Sequence, residues 1–221
     1  MPGESITGLM GIAVENTIVS IQGTKLKSAG PLLITHWGMS GPAILKLSAF
    51  GARILSESGY NFKIQVNWVN ESNNDLVTDE LRSIIKEHSN KIISNYRPYS
   101  LPARLWLYLL EKIELPPDKN WGELGKKGLN KLMNVMTNDE YAVKGRTTFK
   151  EEFVTCGGVS LESIDLHTMQ SKACKNLYFA GEILDIDAIT GGYNFQAAWT
   201  TGFIAGRLSD QTIESRRDGR Q

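Results

Sequence analysis

Hydrophobic and polar positions alternate through residues 6–70 in the manner of strands, with apolar runs at 12–14, 17–21 and 62–68 separated by turn residues. This predicts β structure, a barrel or a sandwich. Within it, Ser40, Gly41 and Pro42 place a cap and an early proline ahead of Ala43, Ile44, Leu45, Lys46, Leu47 and Ser48, which predicts a helix start. From residue 75 to about 138 the period becomes helical. Leu76, Leu81, Ile84 and Ile85 mark one amphipathic helix, Pro102 opens a second over 103–113, and Leu124, Leu129, Leu132 and Met136 mark a third. Breaks fall at Arg97-Pro98 and Pro116-Pro117. Residues 141–159 then return a strand or two to the sheet. The expected organisation is a β-barrel-like first part over 1–74, a helical insert over 75–138, returning strands over 139–162 and a separate C-terminal segment over 163–221.

That last segment has the most specific pattern. Leu177, Tyr178, Phe179 and Ala180 form an apolar run suited to a buried strand, followed by Gly181-Glu182, a loop carrying Asp185 and Asp187, and the turn Thr190-Gly191-Gly192. Asn194 is placed to cap a helix whose Ala198, Gly202, Ala205 and Gly206 share one side and would let backbone press against a sheet. This order sets carboxylates where a sugar's hydroxyls are held, and free N–H groups at a helix start, where a phosphate or an anionic ring is favoured. A ribityl or ribose ligand fits. The same spacing also describes a tight turn whose glycines serve geometry and whose acids are solvated.

Composition narrows the partners. In 221 residues, 24 Lys and Arg balance 24 Asp and Glu, so no global field attracts nucleic acid or a membrane surface. A hydrophobic content of 41% is enough for a real core. Cys156 and Cys174 form no C-x-x-C pair, which argues against structural zinc or a disulfide framework and for a reducing cytoplasm. No metal site is expected. No stretch reads as a signal peptide or a membrane span.

Thr35, His36 and Ser40 cluster with Gly38 and Gly41, whose backbone N–H groups can approach a flat ligand or an oxyanion. The bland alternative is a helix cap at Ser40 with His36 in a structural role. A nucleophile elbow does not fit, because one glycine is adjacent to Ser40 rather than two residues away. Cys156 before Gly157-Gly158 reads as a small buried hydrophobe more readily than as a nucleophile. His167 is a further polar candidate, and His88 reads as exposed. The tryptophans are not interleaved with a basic stripe, which favours packing over base stacking. Lys126, Lys127 and Lys131, near Trp121, read as a solvated face.

The string Gly181-Glu182-x-Leu184-Asp185-x-Asp187-x-x-Thr190-Gly191-Gly192-Tyr193-Asn194-x-Gln196-x-Ala198-Trp199-x-x-Gly202 resembles the C-terminal flavin motif of bacterial two-dinucleotide-fold, FAD-dependent flavoproteins. These are NAD(P)/FAD-dependent, aminoacetone-oxidase-like oxidoreductases. The segments 33–45 and 154–159, with His167 to Lys172 downstream, agree in kind and order, whereas 70–150 matches only in length and helical character.

The resemblance implies a mixed α+β chain: a β-barrel-like domain with an inserted helical subdomain, plus the C-terminal strand–helix piece of an FAD-binding Rossmann-type domain. The family's opening G-x-G-x-x-G is not found, so the chain is expected to be the C-terminal half of a longer flavoprotein, with an N-terminal FAD-binding half as partner. By the same resemblance, Glu182 and Asp185 or Asp187 hold the ribityl or pyrophosphate-proximal end of FAD, and Gly191, Gly192, Tyr193 and Asn194 supply the helix start beside the flavin's pyrimidine side. Gly181, Thr190 and Gln196 assist. His36 and Thr35 are the implied proton donors to a small-molecule substrate, with NAD(P)H as a possible electron donor. No nucleic acid and no membrane are expected as partners. FAD affinity of this chain alone is expected to be poor or absent, because the pyrophosphate turn is missing. The competing reading is a non-catalytic protein-interaction module, favoured if Trp106 and Trp121 form an exposed patch. Flavin-dependent RNA modification is a further alternative.

Overall fold

The computed structural model describes residues 1, 3–145, 154–189 and 191–207, in two compact units, Met1–Thr147 and Thr148–Gln221. In the first unit, β1 (Ala13–Ile21), β2 (Lys27–Thr35) and β3 (Gly38–Ser40) precede α1 (Pro42–Glu57), and β4 (Asn61–Asn67) follows it. Three helices come next, α2 (Asn74–Glu87), α3 (Ala103–Lys112) and α4 (Gly125–Thr137), before β5 (Asp139–Lys144). The five strands form one antiparallel sheet in the order β3-β2-β1-β4-β5. The chain is mixed α+β.

Alternation sets the buried face: Val19 and Ile21 on β1, Leu32 and Ile34 on β2, and Ile64 and Val66 on β4 all point into the core. On β1 the alternation is broken by a bulge. Val14 pairs with Leu32 but Thr17 with Gly30, so an extra residue on β1 lets both Val14 and Thr17 turn inward. The buried Thr17 hydroxyl donates to the Gly30 carbonyl at 2.8 Å.

The helix expected after Pro42 is present, but Ser40 does not cap it. Ser40 lies in β3, and the cap position is Gly41 at φ 97°, with no side-chain bond. A Cβ there would lie 2.8 Å from the Pro31 carbonyl oxygen, so the close approach to β2 demands glycine. Ala43, Leu47, Gly51 and Leu55, at successive helical turns, form the buried stripe.

Asn73 caps α2 by accepting the Asp75 N–H at 2.9 Å. Its buried stripe is Val77, Leu81 and Ile84, whereas Leu76, expected inside, is 53% exposed. Those three positions share a face at helical spacing, and Leu76 falls off it. Trp106 and Trp121 are fully buried and stacked with ring centroids 6.2 Å apart, so they form no exposed docking patch. The Trp106 indole N–H donates to the Ile93 carbonyl at 2.9 Å.

One buried carboxyl group joins the helices to the sheet. Asp139 accepts from Lys112 Nζ at 2.5 Å on one oxygen, and from the Trp68 indole N–H at 2.9 Å and the Tyr141 hydroxyl on the other. The Lys112 ammonium also lies 3.9 Å from the centre of the Tyr141 ring. Burial, and then the charge of Asp139, push the Tyr141 phenol far above its ordinary range, so it stays a donor.

In the second unit, β6 (Ile164–Asp165) and β7 (Gln170–Ser171) form a hairpin, and α5 (Tyr193–Gly206) follows a long loop. Its core is centred on Ile164, Met169 and Leu184. Of the stretch expected to rejoin the sheet, Asp139–Lys144 does so as β5, while Val159 bridges Leu184 inside the second unit. Residues 177–180 are not a buried strand among the described residues. Tyr178 makes an antiparallel bridge to Gln170, Leu177 and Tyr178 are exposed, and among the described residues no sheet but the β6–β7 hairpin lies beside them. No described helix is long and apolar enough to cross a membrane.

Candidate functional site

The acidic loop of the second unit is held from two sides. On one side Val159 donates its N–H to the Ile183 carbonyl at 2.8 Å and accepts the Asp185 N–H at 3.0 Å, a parallel bridge ahead of the acids. Gly158 makes this possible. Its φ is 141°, and a Cβ there would stand 2.5 Å from the Ile183 carbonyl oxygen. On the other side, the Asn194 side chain accepts the Ala188 N–H at 2.8 Å and donates to the Ala188 carbonyl at 2.9 Å.

Asn194 is therefore a clamp rather than the helix cap expected of it. The cap position of α5 is Gly192, in the left-handed region at φ 88°, next to Gly191 at φ 143°. Two such residues in succession favour glycine. Gly192 has no side chain to cap α5, so the first-turn N–H groups of α5 have no acceptor within the helix, and Tyr193 among them is exposed. A further brace is Thr201. Its buried hydroxyl accepts the Gly181 N–H at 3.0 Å and donates to the Ala197 carbonyl at 2.8 Å, tying the start of the loop to the middle of the helix.

The expected cofactor residues thus fall on one loop-and-helix unit. Glu182 is exposed, Asp185 and Asp187 are half-buried, and Gly191, Gly192, Tyr193 and Gln196 are exposed. Gln196 donates to the Thr200 hydroxyl at 3.1 Å along the helix. Thr190 lies outside the described residues. An exposed helix start beside half-buried carboxylates suits a flavin's polar rim: N–H donors for ring carbonyls, carboxylates for ribityl hydroxyls. Of the small positions of α5, Ala205 packs against the core of the second unit, whereas a Cβ on Gly202 or Gly206 would find nothing within 4 Å.

In the first unit, Thr35 and Gly38 pair across the two-residue turn His36-Trp37 that joins β2 to β3. The buried Thr35 hydroxyl donates to the Gly38 carbonyl at 3.1 Å and braces that turn. His36 is exposed at its tip, edge-on to Trp37 with ring centroids 4.2 Å apart. His167 is likewise exposed, at the β6–β7 turn. A cleft of about 610 Å³ on this unit is lined by Glu4, Ser5, Arg104, Tyr108, Glu111 and Lys112 and by none of the motif residues. Its two cations are engaged, Arg104 with the Gly8 carbonyl and Lys112 with Asp139.

Sequence reasoning missed Thr201, the bridging role of Gly158 and the Asp139 network. Thr201, amid the mostly apolar second half of α5, was a legible signal for the first.

An antiparallel sheet with a helical insert, followed by a braced acidic loop, a glycine turn and a helix, makes this a mixed α+β chain of two units. Residues 2–154 match the family described as HI0933-like protein barrel and H2TH domain, and the chain belongs to this family of FAD-dependent oxidoreductase type. It is 30% identical over 200 residues to the ribosomal RNA dihydrouridine synthase of Escherichia coli (strain K12), covering 90% of this chain and 47% of that protein. It is 28% identical over 198 residues to the ribosomal RNA dihydrouridine synthase of Haemophilus influenzae, covering 90% and 46%. It is 26% identical over 210 residues to the 3-dehydro-bile acid delta(4,6)-reductase of Clostridium scindens, covering 90% and 49%. The chain spans about half the length of these curated relatives.

Proposed function

We propose that this chain forms the flavin-orienting half of an FAD-dependent reductase that saturates a carbon–carbon double bond conjugated to a carbonyl, with uridine in ribosomal RNA as substrate. Two differently named relatives support the reaction class. The uracil ring of uridine and a 3-dehydro steroid both carry an alkene activated by a neighbouring carbonyl, and both reductions add a hydride to one carbon and a proton to the other. Two of the three relatives act on ribosomal RNA by name, which favours that substrate.

The observation that carries the reading is the exposed, uncapped start of α5 beside the clamped Asp185–Asp187 loop. A flavin held here would supply the hydride, with NAD(P)H as its reductant. The first-turn N–H groups of α5 would hold the ring's pyrimidine edge and favour negative charge there. Glu182, Asp185 and Asp187 would accept hydrogen bonds from ribityl hydroxyls. His36, exposed at its turn, gives the proton, and Thr35 keeps that turn in shape. The apolar residues exposed along α5, Phe195, Trp199 and Phe203, are where the pyrophosphate-binding half of the flavoprotein packs. The cytoplasm supplies both NAD(P)H and the RNA.

The test is to titrate FAD into the chain, alone and with the N-terminal half of a relative, following flavin absorbance. The flavin-loaded sample is then given NADPH and ribosomal RNA, and its nucleosides are read by mass for the gain of two hydrogens at uridine. Flavin uptake and dihydrouridine are expected. Flavin uptake without product would move the substrate to a small enone, and no uptake in any arm would overturn the reductase and leave partner docking.

A further inference from the structure

We propose that one edge of the helical block in the first unit is a docking surface for the phosphate backbone of folded RNA, a deepening that rests on the RNA-reductase reading above. The edge is built by backbone pairing between two segments remote in sequence. Gly122 donates to the Ser89 carbonyl at 2.9 Å, Trp121 to the Lys91 carbonyl at 3.0 Å, and Ile93 to the Lys119 carbonyl at 2.9 Å, with Ile92 and Asn120 bridged between them. This brings Lys91 and Lys119 onto one short ladder. The ladder runs through the turn Trp121–Glu123 into α4, whose first turn carries Lys126 and Lys127.

Lys91, Lys126 and Lys127 are exposed and Lys119 is half-buried. Among the described residues, none of the four lies within 4 Å of a carboxylate. Lys131 is excluded from the surface, because its ammonium already donates to the Ile113 carbonyl at 2.8 Å. Glu87, Asp118 and Glu123 are the acids nearby in sequence, so the segments 86–91 and 118–131 together carry more cations than carboxylates in a chain whose net charge is zero.

The placement of Lys126 and Lys127 runs against local electrostatics. A helix start favours anions, yet α4 has two cations and no acid in its first turn, and Leu124 provides no side-chain cap. Cations there repel the helix dipole until an anion joins them, and the N–H groups add donors for the same phosphate oxygens. Beside the ladder, the His88 and Tyr96 rings stand 4.1 Å apart and half-exposed, a face on which an unpaired base can stack. The ladder is backed by the buried, stacked Trp106 and Trp121. Zero net charge removes a long-range field, and it does not prevent a local contact of this kind.

The test measures binding of the whole chain to a fluorescein-labelled ribosomal RNA stem-loop by anisotropy, at several salt concentrations. K126E/K127E is expected to weaken binding about tenfold or more and to lower the salt slope by about two. K126R/K127R should bind like the parent, and the exposed control pair K25E/K46E should leave affinity and slope unchanged. Matched thermal melting confirms folding, and K126Q/K127Q replaces the reversal if that variant fails to fold. No RNA binding by the parent, an unchanged slope in K126E/K127E, or equal losses in the control pair overturns the surface. FAD uptake on the same samples separates the two ideas: lysine-dependent RNA binding without uptake sustains the surface while the reductase reading falls. Uptake with lysine-independent RNA binding does the reverse.

Discussion

Replacing Asp139 by Asn tests whether one buried carboxyl group fastens the helical block to the sheet. Its two oxygens face different donors, Lys112 on one side and the Trp68 indole with the Tyr141 hydroxyl on the other. An amide keeps the shape but has only one accepting oxygen, so whichever way it turns, an NH2 group meets a donor. A buried donor without an acceptor costs about 1–3 kcal/mol. Breaking a fully buried ion pair costs about 3–5 kcal/mol. The Lys112 side chain is 30% exposed and recovers some hydration, which lowers the expected loss. A total of about 2–4 kcal/mol follows, or roughly 5–15 °C in melting temperature for a chain of this size. Thermal and urea denaturation followed by tryptophan fluorescence reports it, because Trp68, Trp106 and Trp121 all lie in the core. Lys112→Met removes the other half of the same interaction, so the double variant should lose less than the sum of the singles by about 1–3 kcal/mol. A loss below about 1 kcal/mol for D139N, or strict additivity, would refute the idea of a single fastening.

Three other outcomes are expected. Tyr141 keeps its proton in the folded chain well above the pH at which the unfolded chain releases it, so its contribution is constant below about pH 10 and falls by about 1.4 kcal/mol per pH unit above it; Y141F should show a shallower alkaline decline in urea titrations. Gly158→Ala adds a Cβ 2.5 Å from a carbonyl oxygen at an unfavourable φ, and should cost the second unit about 2–4 kcal/mol and speed amide exchange at Asp185. Asn194→Ala removes both bonds to Ala188, about 1 kcal/mol each, and should weaken FAD uptake roughly 5- to 30-fold, whereas unchanged uptake would show that the clamp does not position the loop.

The helix α4 was legible in the sequence because all four marked positions, Leu124, Leu129, Leu132 and Met136, are buried, and α3 because Pro102 marks its start. The helix α2 was less so at Leu76, where only the neighbouring Val77 completes the buried face. The sheet's alternation was legible too, but the bulge at Thr17 was not, because it exists only in the pairing with Gly30. Asn194 shows the same limit in the candidate site. Asn commonly caps helices, and nothing local reveals that its amide will reach back to Ala188 instead. The Asp139 network joins residues separated by as many as 71 positions, and no periodicity carries that information.

The place of β5 in the chain has a kinetic consequence. β4 must wait for β5 while the whole helical block is synthesised, so a nascent chain that ends before Asp139 leaves β4 with an open edge and Trp68 without its acceptor. Closing so long a connection as free coil would be slow, but α2, α3 and α4 can form locally and shorten the gap the ends must search. The insert thereby acts as an internal timer, completing the sheet only after the helices have been made.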